Sequence, residues 1–295
     1  MGTPEFAVPS LEKLIQAGFN VVAVITAPDK PSGRGLQLTP SPVKLCALQH
    51  NIPLLQPEKL KDETFLAELK SYQADLQIVV AFRMLPESVW NMPKFGTFNL
   101  HASLLPQYRG AAPINWAIIN GETETGVTTF FLQHEIDTGP IIFQEKEPIY
   151  PHDDAGALYK RLMHKGADLV IKTTKAIQEG NYPQIPQVLP AKINNAPKIF
   201  KETCQINFHQ TAQSVINQIR GLSPYPAAWL NLKGKNYKVF QATISQNSLK
   251  EGEINTDNKT YLQIGTKDLA INIEEWQAEG KRKMRIEEFF KGNKI

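Results

Sequence analysis

Apolar residues along this chain keep two rhythms, and the places where one gives way to the other mark out its elements. In residues 4–18, Phe6, Leu11, Leu14 and Ile15 recur at the spacing that gathers them on one face of a helix. Residues 21–25 are apolar throughout, as a strand buried on both faces of a parallel sheet requires. The exchange continues with helices over 42–51, 62–71 (capped by Asp62) and 113–120, and with strands over 53–55, 76–81 and 97–101. A strand is expected at 127–132, a returning one at 141–147, and a long helix over 154–179 capped by Asp153 or Asp154. Repetition of strand, helix and strand predicts an α/β domain built on a mainly parallel sheet with helices on both faces.

Past residue 180 the rhythm stops. Pro183, Pro186, Pro190 and Pro197 preclude regular structure and predict an extended linker over 181–197. Beyond it, one helix over 210–220 precedes short strand-like runs at 227–232, 237–242, 261–264 and 269–273, the spacing of a small barrel or sandwich. The chain is thus expected to divide into an α/β domain over 1–180, the linker, and a second domain over 198–295. One element is missing from the first of these. A doubly wound pattern wants a strand before its first helix, yet the chain opens at Met1-Gly2-Thr3-Pro4, so sheet edges are expected to stand unpaired.

The richest stretch runs from Thr97 to Gly110. Phe98 and Leu100 face a core, while Thr97, Asn99 and His101 share the other face of the strand. Residues two apart on one face lie roughly 6–7 Å apart at Cα, close enough for the Asn99 amide and the His101 imidazole to reach one small group. The strand then enters Leu104-Leu105-Pro106 and a glycine-containing turn, which puts the pair at its carboxyl end, where open α/β sheets bind ligands. A His and an Asn on a strand also serve as plain hydrogen-bonded structural groups. A second polar island, from His134 to Pro140, favours the chemical reading, because Asp137 sits in a turn from which it can reach the imidazole. Together Asn99, His101 and Asp137 offer an oxyanion donor, a proton carrier and an orienting carboxylate.

Composition narrows the setting. No apolar run approaches the roughly 20 residues of a membrane helix, and no cationic-then-apolar leader opens the sequence. Cys46 and Cys204 are the only two cysteines, without metal-ligand spacing, which points to a reducing cytoplasm and to no thiolate metal cluster. The net charge of +3 is unevenly placed: from Ala196 onward there are 15 Lys/Arg against 10 Asp/Glu, before it 17 against 19. A basic C-terminal part beside a near-neutral body hints at an anionic macromolecule, although such an excess is usually a solvated surface. Residues 28–42, rich in Pro and Gly and carrying Lys30 and Arg34, read as a long loop of the kind that is uncommon unless functional. Trp229, among prolines and apolar residues, reads as core rather than as a platform for bases.

Three stretches together resemble the methionyl-tRNA formyltransferase family. They are Gly2-Thr3-Pro4-Glu5-Phe6-Ala7; Gly33-Arg34-Gly35 with Pro40-Ser41-Pro42-Val43-Lys44; and Asn99 to Pro106 with Arg109-Gly110-Ala111-Ala112-Pro113-Ile114. The Asp137-Thr138-Gly139 turn and Pro224-Tyr225-Pro226-Ala227-Ala228-Trp229 match as well, so the resemblance spans essentially the whole chain. It implies a Rossmann-like catalytic domain, a C-terminal barrel resembling an OB fold that helps hold tRNA, and 10-formyltetrahydrofolate as donor with no metal. It implies catalytic roles for Asn99, His101 and Asp137, a folate site lined by Ser103, Leu104, Leu105 and Pro106, and contact of Arg34, with Lys30 and Lys44 beside it, to the acceptor end of methionyl-initiator-tRNA. Lys233, Lys235, Lys238 and the cluster from Lys281 to Arg285 would add basic surface on the barrel; neither a membrane nor an obligate protein partner is implied.

Two departures stand out. The family carries a strand before the Gly-Thr-Pro motif, so Met1 is expected to correspond to an internal Met. Phe82-Arg83-Met84-Leu85-Pro86 replaces a slightly longer, glycine-containing turn that borders the folate pocket. The residues fit the chemistry on their own terms. Formyl transfer from one nitrogen to another passes through an oxyanion, which an Asn99 N–H can stabilise by about 3–4 kcal/mol, while His101 shuttles a proton and Asp137 orients it. The sequence has no Gly-x-Gly-x-x-Gly for a dinucleotide. Three rivals fit less well: a small-molecule formyltransferase lacks a use for the basic loop, a non-catalytic RNA-binding protein lacks a use for the triad, and a serine hydrolase would want a Gly-x-Ser-x-Gly elbow around Ser103.

Overall fold

The computed structural model of the chain describes residues 1–32 and 37–295, which fall into two compact units. The first holds residues 1–109, 126–147 and 159–194. In chain order its elements are α1 (Val8–Gln16), β1 (Val24–Ile25), β2 (Lys30–Ser32), β3 (Gln37–Thr39), α2 (Pro42–Gln49), β4 (Leu54–Leu55), α3 (Glu63–Ser71), β5 (Gln77–Val80), α4 (Glu87–Trp90) and β6 (Thr97–His101). After α5 (Pro113–Ile119) in the second unit come β7 (Glu124–Phe131), β8 (Ile141–Pro148) and α6 (Ala155–Gln178). The helices start where capping chemistry says they should. Ser41 caps α2 by accepting the Lys44 N–H, Asp62 caps α3 through the Phe65 N–H, and Asp154 rather than Asp153 accepts the Ala157 N–H at the head of α6.

The strands join in the order β5–β6–β7–β8. β6 lies parallel to β5 and antiparallel to β7, with Asn99 opposite Val79 on one side and Phe130 on the other. The apolar face of β6 is closed off from water: Phe98 is fully buried and Leu100 nearly so. β1 and β4 make a separate parallel pair, Val24 beside Leu54 and Ile25 beside Leu55. The run at 28–42, read from its prolines as a loop, instead carries the antiparallel ribbon β2–β3, with Lys30 opposite Thr39. Pro31 lies in that ribbon, and proline is tolerated on an edge strand because it withholds a single donor.

The strand expected over 21–25 forms only at Val24–Ile25, and the reason is visible beside it. A cleft of about 710 Å³ separates it from β5, lined by Val21, Val22 and Ala23 on one side and by Leu76, Gln77 and Ile78 on the other. Among the described residues, only Met1 and Gly2 bridge it: Gly2 donates to the Ile25 carbonyl at 3.0 Å, and Val80 donates to the Met1 carbonyl at 2.9 Å. The Met1 amine donates to the Ile78 carbonyl at 2.7 Å, a position that a further peptide N–H would otherwise take. Burial lowers the affinity of that amine for its proton, from 8.0 to about 5.

The second unit gathers residues 110–125, 148–158 and 195–295. After α7 (Ala212–Leu222) come β9 (Ala228–Leu232), β10 (Lys235–Ile244), β11 (Ile254–Thr256), β12 (Leu262–Gly265), β13 (Ala270–Ala278), β14 (Met284–Arg285) and α8 (Ile286–Phe290). They form one antiparallel sheet in the order β11–β12–β13–β10–β9, with β14 also on β13. The Trp276 ring is fully buried, stacked 4.4 Å from Tyr237 and edge-on to Phe289 at 4.6 Å. Trp229 packs against this core and donates its indole N–H to the Lys201 carbonyl at 2.9 Å. α5 lies on α7 at Gly221, where a Cβ would stand 2.6 Å from Ile119 and 3.0 Å from the Asn115 carbonyl. Asp268 accepts the N–H groups of Ala212 and Leu269, which holds its carboxyl below the ordinary range and caps α7. Among the described residues no helix is long and apolar enough to cross a membrane.

Lengthening the chain upstream of Met1 by about six alternating apolar residues turns the amine into a peptide N–H and supplies a strand for both open edges. Thermal unfolding should then move to higher temperature; an unchanged midpoint would show that the cleft does not take a strand.

Candidate active site

β6 carries Asn99 and His101 to its carboxyl end on one face, two residues apart. Phe98 and Leu100 fix that face by burying the other. The His101 ring is almost wholly enclosed, and each of its nitrogens has its own neighbour. Nε2 lies 2.8 Å from the Tyr108 carbonyl, and Nδ1 faces the Asp137 carboxylate at 3.8 Å. A carbonyl only accepts, so Nε2 carries a proton, and the exchangeable position of the ring is Nδ1. Asn99 is half-buried, and among the described residues its side-chain amide takes no hydrogen bond. Its N–H groups are left for a guest at this end of β6.

The loop that delivers the Tyr108 carbonyl is held from within. The Ser103 hydroxyl donates to the Gln107 carbonyl at 2.6 Å. Thr128, on β7 and fully buried, donates to the Ser103 carbonyl at 2.6 Å while accepting from the Leu105 N–H and from Gln144. Gln144 also donates to the Leu105 carbonyl at 2.9 Å. Tyr108 itself stands at φ +60°, a left-handed backbone that costs a side-chain-bearing residue about 1 kcal/mol or more. It is kept there by its own N–H, which donates to the Asn194 carbonyl at 2.6 Å. Of the four residues expected to line the folate site, Ser103 and Leu105 are buried in this packing, whereas Leu104 and Pro106 are half-exposed.

Asp137 reaches the imidazole from the turn after β7, also with a left-handed backbone, at φ +55°. Thr138 braces the turn by donating to the Glu135 carbonyl and accepting from Gln133. Gly139 is required by space, since a Cβ there would fall 1.7 Å from the Phe131 carbonyl. In the turn at 82–86, Arg83 donates to the carbonyls of Pro57 and Glu58 (2.8 Å to the latter), and Met84 projects into solvent.

The expected tRNA contacts fare differently from one another. Lys30 is exposed on β2. Lys44 is paired with Asp29 at 2.6 Å, and that carboxylate, which also accepts from Gln56, is held below its usual range chiefly by the Lys44 bond. Arg34 lies outside the described residues. No group of three or more His, Cys, Asp or Glu able to hold a metal occurs among the described residues. Sequence reasoning missed Tyr108, which acts through its carbonyl, and Thr128 and Gln144, whose polar side chains next to the apolar runs Phe130-Phe131 and Ile141-Ile142-Phe143 were the available signal.

Comparison with known proteins gives matches over both units. A family described as formyl transferase matches residues 1–174, and a formyl transferase C-terminal domain matches residues 198–294. A methionyl-tRNA formyltransferase of Bacteroides fragilis is 54% identical over 302 residues, covering 99% of this chain and 93% of that protein. One of Flavobacterium johnsoniae is 51% identical over 298 residues, covering 99% and 94%. Among solved structures, the sugar 3N-formyltransferase WlaRD superposes with a TM-score of 0.70 at 23% identity, over 95% of this chain and 97% of its own. An N-formyltransferase of Helicobacter canadensis gives 0.69 at 24% identity, over 94% and 97%.

The ring geometry carries its own check. In a sample labelled with ¹⁵N-histidine, the neutral His101 ring should show the Nε2–H tautomer, and replacing Tyr108 should leave that tautomer in place because its carbonyl remains. A neutral ring protonated at Nδ1 would contradict the assignment.

Proposed function

This chain belongs to the methionyl-tRNA formyltransferase family, and from that premise we propose that Asn99, His101 and Asp137 are where it does its chemistry. It transfers the formyl group of 10-formyltetrahydrofolate to the α-amino group of methionyl-initiator-tRNA, the reaction that prepares this tRNA for translation initiation. The observation that carries the assignment is the division of the His101 ring: Nε2 is occupied by the Tyr108 carbonyl and Nδ1 opens toward Asp137, while the Asn99 amide, two residues earlier on β6, makes no hydrogen bond among the described residues.

The residues present fit a formyl donor, since an unpartnered, half-buried amide suits an oxygen that gains charge. The folate, when bound, supplies a formyl group already activated on nitrogen. Asn99 donates an N–H to the formyl oxygen as negative charge develops there. The attacking α-amine has a proton to lose, and the departing nitrogen has one to gain. His101 Nδ1 is the position at which this chain holds that proton, with Asp137 stabilising the charged ring. Ser103, Leu104, Leu105 and Pro106 are assigned to the donor's site, with the half-exposed Leu104 and Pro106 supporting the assignment.

For the acceptor, Lys30 and Arg34 are assigned to the phosphates of the tRNA end, and Lys44 contributes less because it shares its charge with Asp29. Lys233, Lys235, Lys238 and the residues from Lys281 to Arg285 extend the basic surface on the second unit. Catalytic work is assigned to residues 1–180, and tRNA holding to 198–295 beyond a linker over 181–197. Such a translation enzyme works in the cytoplasm.

The test is to supply 10-formyltetrahydrofolate with methionyl-tRNA, free methionine or glycinamide ribonucleotide and follow release of tetrahydrofolate. Turnover is expected with the charged tRNA alone, falling steeply with salt as phosphate contacts require; turnover with a small amine would move the protein to another branch of folate-dependent transferases. Arg34→Ala should weaken turnover on methionyl-tRNA through KM, leaving the rate at saturation within about twofold.

A further inference from the structure

Between Pro183 and Pro190 every residue is exposed except Gln187, which turns inward. Its amide uses all of its hydrogen-bonding capacity. Nε2 donates to the Asp137 carbonyl at 2.9 Å and to the Gly139 carbonyl at 2.8 Å. Oε1 accepts from Arg109, at 3.2 Å from Nε and 2.5 Å from the nearer terminal nitrogen. The orientation of the amide is unambiguous, because the two carbonyls only accept and the guanidinium only donates. Glutamine is also the side chain this place demands. A carboxylate would satisfy Arg109 but face two carbonyl oxygens, and an ammonium would satisfy the carbonyls but face Arg109.

We propose that Gln187 is a positioning residue for formyl transfer, holding the Asp137 turn against the loop that orients His101. The inference rests on the roles given above to His101 and Asp137. The contacts close a ring around the imidazole. His101 binds the Tyr108 carbonyl, Arg109 follows Tyr108 in the chain and binds Gln187, and Gln187 binds the backbone of Asp137, whose carboxylate returns to His101. Both backbones that face the imidazole, at Tyr108 and at Asp137, are left-handed and need outside support to stay so. The same segment supplies it twice, through Gln187 to Asp137 and through the Asn194 carbonyl to Tyr108. The stretch that looks like a mere connector is therefore a strap across the catalytic loops.

Three variants of the full chain separate positioning from general stabilisation. Gln187→Ala removes all four bonds, whereas Gln187→Glu keeps the link to Arg109 and loses only the donation to the Asp137 turn. Both should lower kcat on methionyl-tRNA about tenfold with KM for tRNA and folate within twofold, even though Gln187→Glu keeps its Tm near that of the parent. In an Asp137→Asn background, where the carboxylate no longer acts, Gln187→Ala should cost little more, since residues acting through one another are not additive. The proposal is overturned if Gln187→Glu retains the parent kcat, if kcat follows Tm across the set, or if the two losses multiply. An unsubstituted protein that does not formylate methionyl-tRNA would instead overturn the underlying reading, which keeps the two failures distinct.

Discussion

The hydrogen bond from His101 Nε2 to the Tyr108 carbonyl is the constraint on which the site depends. It uses up one nitrogen of a buried ring and so decides which one can take part in chemistry. To provide that carbonyl, the chain must leave β6, pass through residues 103–107 and arrive at Tyr108 with a left-handed backbone. Thr128, Ser103 and Gln144 are committed to holding this path, and none of them needs to touch a substrate to matter. The central position of β6, with β5 and β7 on its two sides, gives the path a fixed starting point.

Much of this was legible in the sequence, for definable reasons. The alternation of Phe98, Asn99, Leu100 and His101 fixes which side chains share a face, and the structure keeps them so, because a one-residue slip would expose Phe98. The Thr138-Gly139-Pro140 turn suggested that Asp137 could come back toward the strand, and it stands 3.8 Å from the ring. What was not legible depends on the backbone or on long-range pairing. The Tyr108 carbonyl has no residue-type signature, since any residue supplies one. Gln187 sits among prolines, where no periodicity singles out a position. The ribbon β2–β3 was hidden because Pro31, a sound indicator of irregular chain, is also compatible with a two-stranded edge. In the second unit β10 and β13 run longer than their apolar stretches, since the exposed Lys235 and Asn236 and the half-buried Glu274 and Glu275 lie on them.

The cleft in the first unit shows the same logic in reverse. Sequence pattern demanded a strand that the first residues do not supply, and the structure answers with a cleft of about 710 Å³ and a strand shortened to Val24–Ile25. Apolar character alone did not make 21–23 a strand; a ladder partner is needed as well. β6 is separated from the cleft by β5, so the face that carries Asn99 and His101 is built on the paired side of the sheet.

The central claim is that Asn99 and the Nδ1 side of His101 act on the formyl group itself rather than on tRNA recognition. The most direct measurement is single-turnover formylation of methionyl-tRNA at saturating folate by Asn99→Ala, with tRNA affinity measured in parallel. A fall in rate of about 10²–10³-fold at unchanged tRNA affinity is the predicted result. A rate near that of the parent, or a loss explained wholly by weaker tRNA binding, would contradict it.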